Sequence, residues 1–179
     1  MKKILLAFLL LGLLNGCVEK AKNKEEKTEI SSLHSVEAER YLSNGENKYA
    51  LYDFEGALSD YNKAIELDSK NPKAYIYRGK AKHGLRDFKG AIKDYSKAIK
   101  LDSKNPETYF YRGLSKFSLQ DYRGAVSDYN KSIALNPNDS LSYTGRAYAK
   151  YELKDFDGSS SDFKKANELD SELENTIQN

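Results

Sequence analysis

The chain has no tryptophan, one cysteine, three prolines and two histidines in 179 residues. A single cysteine excludes an intramolecular disulfide, so the fold must be held by packing alone. So few thiols and imidazoles also exclude most Cys-His nucleophilic sites and His- or Cys-rich metal sites. The G-x-x-x-x-G-K-[ST] and G-x-G-x-x-G phosphate-binding patterns are absent. No catalytic constellation, cofactor or metal is therefore expected, and the chain reads as a non-enzyme. The formal net charge is only +2, without the electrostatic footprint of a nucleic-acid binder. No apolar run approaches the about 20 residues that a membrane-spanning helix needs. What is present is aromatic: 14 tyrosines and 7 phenylalanines, with every tyrosine between Tyr41 and Tyr151. Aromatic mass confined to that stretch points to a structural use.

The first residues, MKKILLAFLLLGLLNG, pair two lysines with an apolar run from Ile4 to Leu14, the arrangement of a secretory signal. The run ends in Leu14-Asn15-Gly16-Cys17, which resembles the lipobox of bacterial lipoproteins, with Asn15 where that pattern more often has Ala or Ser. The resemblance implies a signal peptide over 1–16 and diacylglycerol and palmitate-type acylation on Cys17. Several chains on one residue make a stable anchor, where one acyl chain holds only weakly. Val18 after the cysteine implies the outer membrane facing the periplasm, in an organism that has one. Cleavage removes Lys2 and Lys3 and brings the formal charge to zero. Residues 17–36 are charged and poor in apolar side chains, and read as a lipidated cysteine followed by a disordered tether. As a flexible coil this tether reaches roughly 25 Å. His34 reads as a solvated linker residue.

From Ala38 the chain repeats with a 34-residue period and no gaps: units 38–71, 72–105, 106–139 and 140–173, within a domain over 37–173 and before a tail over 174–179. Each unit has two apolar stripes at helical spacing, and a period of this size means a solenoid. The fourth place holds Tyr41, Tyr75, Tyr109 and Tyr143; the eighth Gly45, Gly79, Gly113 and Ala147; the twentieth Ala57, Ala91, Ala125 and Ser159; the twenty-fourth Tyr61, Tyr95, Tyr129 and Phe163. Small residues let paired helices approach while large aromatics fill the space between them. Asp53, Asp87, Asp121 and Asp155 stand as N-caps of the second helices, and Asn71-Pro72 and Asn105-Pro106 as N-cap and first-turn proline of the next first helices. This pattern resembles the tetratricopeptide repeat over about four fifths of the chain. The resemblance implies an all-α, right-handed α-solenoid of four helix-turn-helix units.

The seventh place departs from the apolar pattern, with Arg78, Arg112 and Arg146 after Asn44 in the first unit, and the twenty-third is acidic throughout: Asp60, Asp94, Asp128 and Asp162. The only unit without the arginine is the one with no preceding aspartate. That coincidence leads to the expectation of a ladder between successive units, Asp60 to Arg78, Asp94 to Arg112 and Asp128 to Arg146, shared with Lys82, Lys116 and Lys150 one turn along the same face. In the last unit, Ser159-Ser160-Ser161 and Asn167 replace small or apolar residues, as a terminal cap with a polar outer face requires.

By resemblance, first helices line a concave groove with their second, fifth, ninth and twelfth places. Here those are Lys73, Ile76, Lys80 and His83, then Phe110, Leu114 and Phe117, then Thr144, Tyr148 and Tyr151. An apolar stripe with a basic flank suits a peptide or helix carrying acidic residues; packing of these residues on each other or on a neighbouring copy is the alternative. Tetratricopeptide domains that clamp the acidic C-terminus of chaperones use paired asparagines that this groove lacks, so that activity is not carried over. The expected function is a membrane-anchored scaffold that binds a protein or peptide. The alternative is a non-catalytic subunit or regulator of an envelope enzyme, or of a pilus or outer-membrane assembly complex.

Overall fold

The computed structural model describes residues 31–177, with side chains as far as residue 171. The expected leader, Cys17 and most of the tether lie outside the described residues. Within them the chain is all helix: α1 over 31–50, α2 Phe54–Leu67, α3 Pro72–Gly84, α4 Phe88–Leu101, α5 Pro106–Ser118, α6 Tyr122–Leu135, α7 Ser140–Glu152 and α8 Phe156–Ile177. Odd-numbered helices are the first helices of the units and even-numbered ones the second. First helices touch across units, α3 with α5 and α5 with α7, whereas α2, α4, α6 and α8 do not touch one another. The first helices therefore form the inner, concave layer of an α-solenoid, and the second helices the outer one.

Local chemistry sets each boundary. The Asp53, Asp87, Asp121 and Asp155 carboxylates accept from the backbone N–H three residues on, at 2.9 to 3.0 Å, satisfying donors that the helix itself cannot. Asn71 accepts from the Lys73 N–H at 3.0 Å and Asn105 from the Thr108 N–H at 3.2 Å, capping the helices that begin at Pro72 and Pro106. Asp68, Asp102 and Asn136 leave the helix because their side chains accept from the backbone two residues ahead, an Asx turn. The turn inside each unit needs a left-handed residue, which is supplied without glycine by Tyr52, Arg86, Gln120 and Lys154, at φ 61 to 65°. Each such residue costs on the order of 1 kcal/mol. The turn is closed by bonds from the capping aspartate N–H back to the carbonyl of Lys48, Lys82, Lys116 or Lys150.

The core alternates large and small. Tyr61, Tyr95 and Tyr129 are at most 1% exposed, packed among Ala57, Ala91 and Ala125, which are fully buried. Each tyrosine ring lies on a glycine of the facing first helix. A Cβ on Gly79 would stand 2.7 Å from Tyr95 Cε1, closer than carbon atoms approach.

The two ends extend the helical region beyond the repeat. The tether does not stay irregular to residue 36, because α1 already includes 31–37. Once Ala38 and Leu42, at 1% and 2% exposure, fix the helix, each upstream residue adds a hydrogen bond without a new nucleation cost. The tail beyond 173, which the repeat pattern does not assign, continues as helix: α8 runs on to Ile177. Its sequence has no Asn-Pro restart to turn the chain back.

Candidate functional site

The recurring arginine has a defined seat. Arg78 Nε and Nη2 donate to Asp94 Oδ2 and Oδ1 at 2.9 and 2.7 Å, Arg112 makes the same fork on Asp128, and Arg146 on Asp162. Lys82, Lys116 and Lys150 join the same carboxylates at 2.7 to 2.8 Å. These aspartates are 3 to 5% exposed, so each unit holds a buried acid between two cations. Burial opposes ionisation of Asp162, but hydrogen bonds from Arg146 and Lys150 outweigh it and hold its carboxyl below the ordinary aspartate range.

The expected ladder from Asp60 to Arg78, Asp94 to Arg112 and Asp128 to Arg146 is therefore corrected: the ion pairs lie within units. An arginine at the seventh place of a first helix is opposite the twenty-third place of its own antiparallel partner, and the bidentate fork goes there. Only the remaining nitrogen crosses to the preceding unit. Nη1 of Arg78 donates to Asn62 Oδ1 at 2.8 Å, that of Arg112 to Ser96 Oγ at 3.2 Å, and that of Arg146 to Asn130 Oδ1 at 2.6 Å. The first unit, with no unit before it, has Asn44 there, and Asp60 pairs with Lys48 at 2.6 Å.

The uncharged residues expected in the groove divide into three groups. Ile76 is 4% exposed and packs in the core with Tyr75, Ala91, Tyr95 and Ala98, so it is no groove contact. The fifth place points between the two helix layers, as Leu42 at 2% exposure also shows. Phe110 is half-buried against Tyr111 and Tyr129, and Phe117 against Tyr122 at 5.2 Å between ring centroids. Leu114 and Thr144 are half-buried. Tyr148 and Tyr151 are 54% and 56% exposed, each with a ring edge on a second-helix phenylalanine, Phe163 or Phe156. The apolar surface open to a partner is thus at the C-terminal half.

The basic flank is mostly neutralised. Lys80 donates to Glu107 Oε1 at 2.8 Å and sits 4.2 Å from the centre of the Tyr111 ring, clasping α3 to α5. His83 stands 2.9 Å from Ser115 Oγ through Nδ1, its ring edge on Phe88, and burial pulls its pKa below the usual histidine value. Lys73 alone is exposed and unpaired in this group. A depressed histidine contributes stability that is complete above pH about 6.5 and is lost as pH falls through its lower folded-state value. The urea midpoint is expected to drop between pH 7.5 and 5.5, with the slope reduced in His83→Gln; an equal slope in both proteins rules this out.

Residue-by-residue reading missed the sixth place. Tyr77 donates its hydroxyl to the Glu46 carboxylate, which with burial pushes its pKa up to about 12. Tyr111 stacks on Tyr95 at 6.1 Å. The recurrence of Tyr77 and Tyr111 at one place in the period was the available signal.

A helical solenoid whose inner helices present an exposed aromatic surface defines a class of protein that binds other chains along that surface. A family profile described as TPR repeat matches residues 41–85 and 87–119, and one described as tetratricopeptide repeat matches 106–139. Together they span more than half of the chain, which belongs to the tetratricopeptide repeat family. A comparison with curated proteins gives no match. Among solved structures, MamA is similar at 24% identity and a TM-score of 0.73, over 77% of this chain and 81% of that one. The TPR domain of Arabidopsis OM64 is similar at 26% identity and 0.65, over 66% and 98%. The first TPR of Spaghetti (RPAP3), solved with the HSP90 peptide SRMEEVD, is similar at 25% identity and 0.66, over 67% and 95%.

Proposed function

We propose that this protein is a membrane-anchored scaffold that holds a protein or peptide partner in its concave groove and performs no chemistry of its own. The observation that carries the reading is the pair Tyr148 and Tyr151 on the inner layer, both more than half exposed, with half-buried Leu114 and Phe117 on the preceding inner helix. Large aromatics in a concave surface are what peptide recognition uses as anchors. The RPAP3 repeat domain, similar in fold, binds a peptide. Lys80 is committed to Glu107 of the next unit, and an acid, Glu46, stands on α1 against Tyr77. The partner is therefore read as apolar where it meets the tyrosines, without the acidic character that three free cations would have favoured. Anchoring through Cys17, in the bacterial envelope, is proposed from the leader-like residues before it.

The test is in-cell crosslinking from envelopes, comparing the wild type with Tyr148→Ala/Tyr151→Ala at matched abundance. Loss of a captured partner by at least about tenfold is expected, since truncating central aromatic anchors typically costs 2 kcal/mol or more. An unchanged partner list overturns the groove as the site. Release of the wild type by high salt, with no labelling by radioactive palmitate, overturns the anchor.

A further inference from the structure

The two ends of the solenoid are the counterparts of its internal junctions, with polar and charged residues in other places. At each internal junction a second helix receives the first helix of the next unit. Its third and tenth places, Ala74 and Ala81, Thr108 and Ser115, Ser142 and Ala149, are all fully buried there. At the N-terminal end the third, seventh and tenth places are Arg40, Asn44 and Asn47, all exposed. Behind them Asp60, 7% exposed, pairs with Lys48 alone, whereas Asp94, Asp128 and Asp162 each hold an arginine and a lysine. One buried carboxylate is thus a cation short at the open end.

At the other end, α8 presents the face on which a further first helix would lie. It forms an open trough of about 650 Å³ lined by Ser160, Phe163, Lys164, Asn167, Glu168 and Ser171. Lys164 stands at the twenty-fifth place, where Asn62, Ser96 and Asn130 receive the incoming arginine at the internal junctions. A neutral polar side chain on the second helix and a cation on the first become, at the two ends, a cation on the second helix and an amide on the first.

From this exchange we propose that a second copy of this chain docks head to tail, the α1 face of one copy on the α8 trough of another. Lys164 supplies the cation missing beside Asn44 and Asp60. Arg40, too large for the close packing of the third place, enters the trough and meets Glu168. The contact is heterologous, so each added copy leaves a free end and assembly does not close at a dimer. Because both faces are polar, the contact is weaker than an internal junction and is screened by salt. The trough borders the groove at Phe163, but Arg40 and Glu168, on which the test rests, are not groove residues, so that test does not depend on the groove having a partner.

The test is sedimentation of the full-length protein in density-matched detergent over a concentration series. Wild type is expected to gain mass with concentration beyond a dimer and to lose it in high salt. Arg40→Glu and Glu168→Arg place like charges opposite each other and each weakens association by roughly tenfold or more. Mixing the two variants, or combining both changes in one chain, restores it. Both positions are exposed, and circular dichroism checks that the variants remain folded. A monomer at every concentration overturns the proposal, as does a mass that stops at a dimer or association untouched by either charge reversal.

Discussion

Arg112→Ala is expected to cost about 3–5 kcal/mol of unfolding free energy, because it leaves a buried carboxylate with half its charge compensation. Asp128 is 3% exposed, and Arg112 supplies two of its short hydrogen bonds, at 2.9 and 2.7 Å. Lys116 keeps one oxygen, at 2.8 Å, so the loss falls on the other. Replacing the set with apolar residues of equal volume costs far less, since desolvation offsets much of the pair's attraction. A double-mutant cycle reads out where the interaction lies. Asp94 coupled to Arg78 should show more than about 1 kcal/mol, and Asp94 coupled to Arg112 less than about 0.5, because only the first pair is in contact. Chemical denaturation of four proteins per cycle suffices. Equal couplings in the two cycles would mean that the charges act through the general field of the solenoid and not through the forks seen at each seat.

The misassigned ladder shows what a periodic sequence conceals. Period and residue type identify every member of the charged set, but the seventh place of a first helix borders both its own partner helix and the one before it. Repetition places an acid in each, so sequence spacing alone cannot choose between them. The absence of arginine from the first unit was a correct signal attached to the wrong bond. It coincides with the lack of a preceding unit to receive the Nη1 contact that Asn62, Ser96 and Asn130 accept, and Asp60 loses its own fork with it. Helices, caps and aromatic-glycine packing were legible because each follows from local chemistry repeated from unit to unit. The groove was less so. Ile76 and Phe110 share a place in the period, yet one is core and the other half-exposed, since the depth of a side chain depends on neighbours that differ between units. Neutralisation of Lys80 was hidden for the same reason, its partner Glu107 lying in the next unit.

Tyr95 should give opposite responses to two substitutions. Tyr95→Ala is expected to cost about 3–5 kcal/mol, the range for emptying a large aromatic from a packed core. The ring is completely buried, lies on Gly79 and stacks on Tyr111, so the cavity would open between two units. In a solenoid each unit is stabilised through its neighbours, and the loss spreads to both sides of the gap. The hydroxyl behaves otherwise. It is buried with no hydrogen-bond partner among the described residues, and burial raises its pKa so far that it stays protonated. Tyr95→Phe keeps the ring and removes an unsatisfied donor, and is expected to stabilise by about 1 kcal/mol. The fourth unit already has Phe163 at this place. Gly79→Ala is expected to cost about 1–3 kcal/mol by forcing a methyl into the ring. In the Tyr95→Ala background that cost should largely vanish, because the clashing atoms are gone. Urea midpoints of the five proteins decide the matter. A Tyr95→Phe that loses stability would show that the hydroxyl is bonded in solution, and a Gly79→Ala cost unchanged without the ring would place the clash elsewhere.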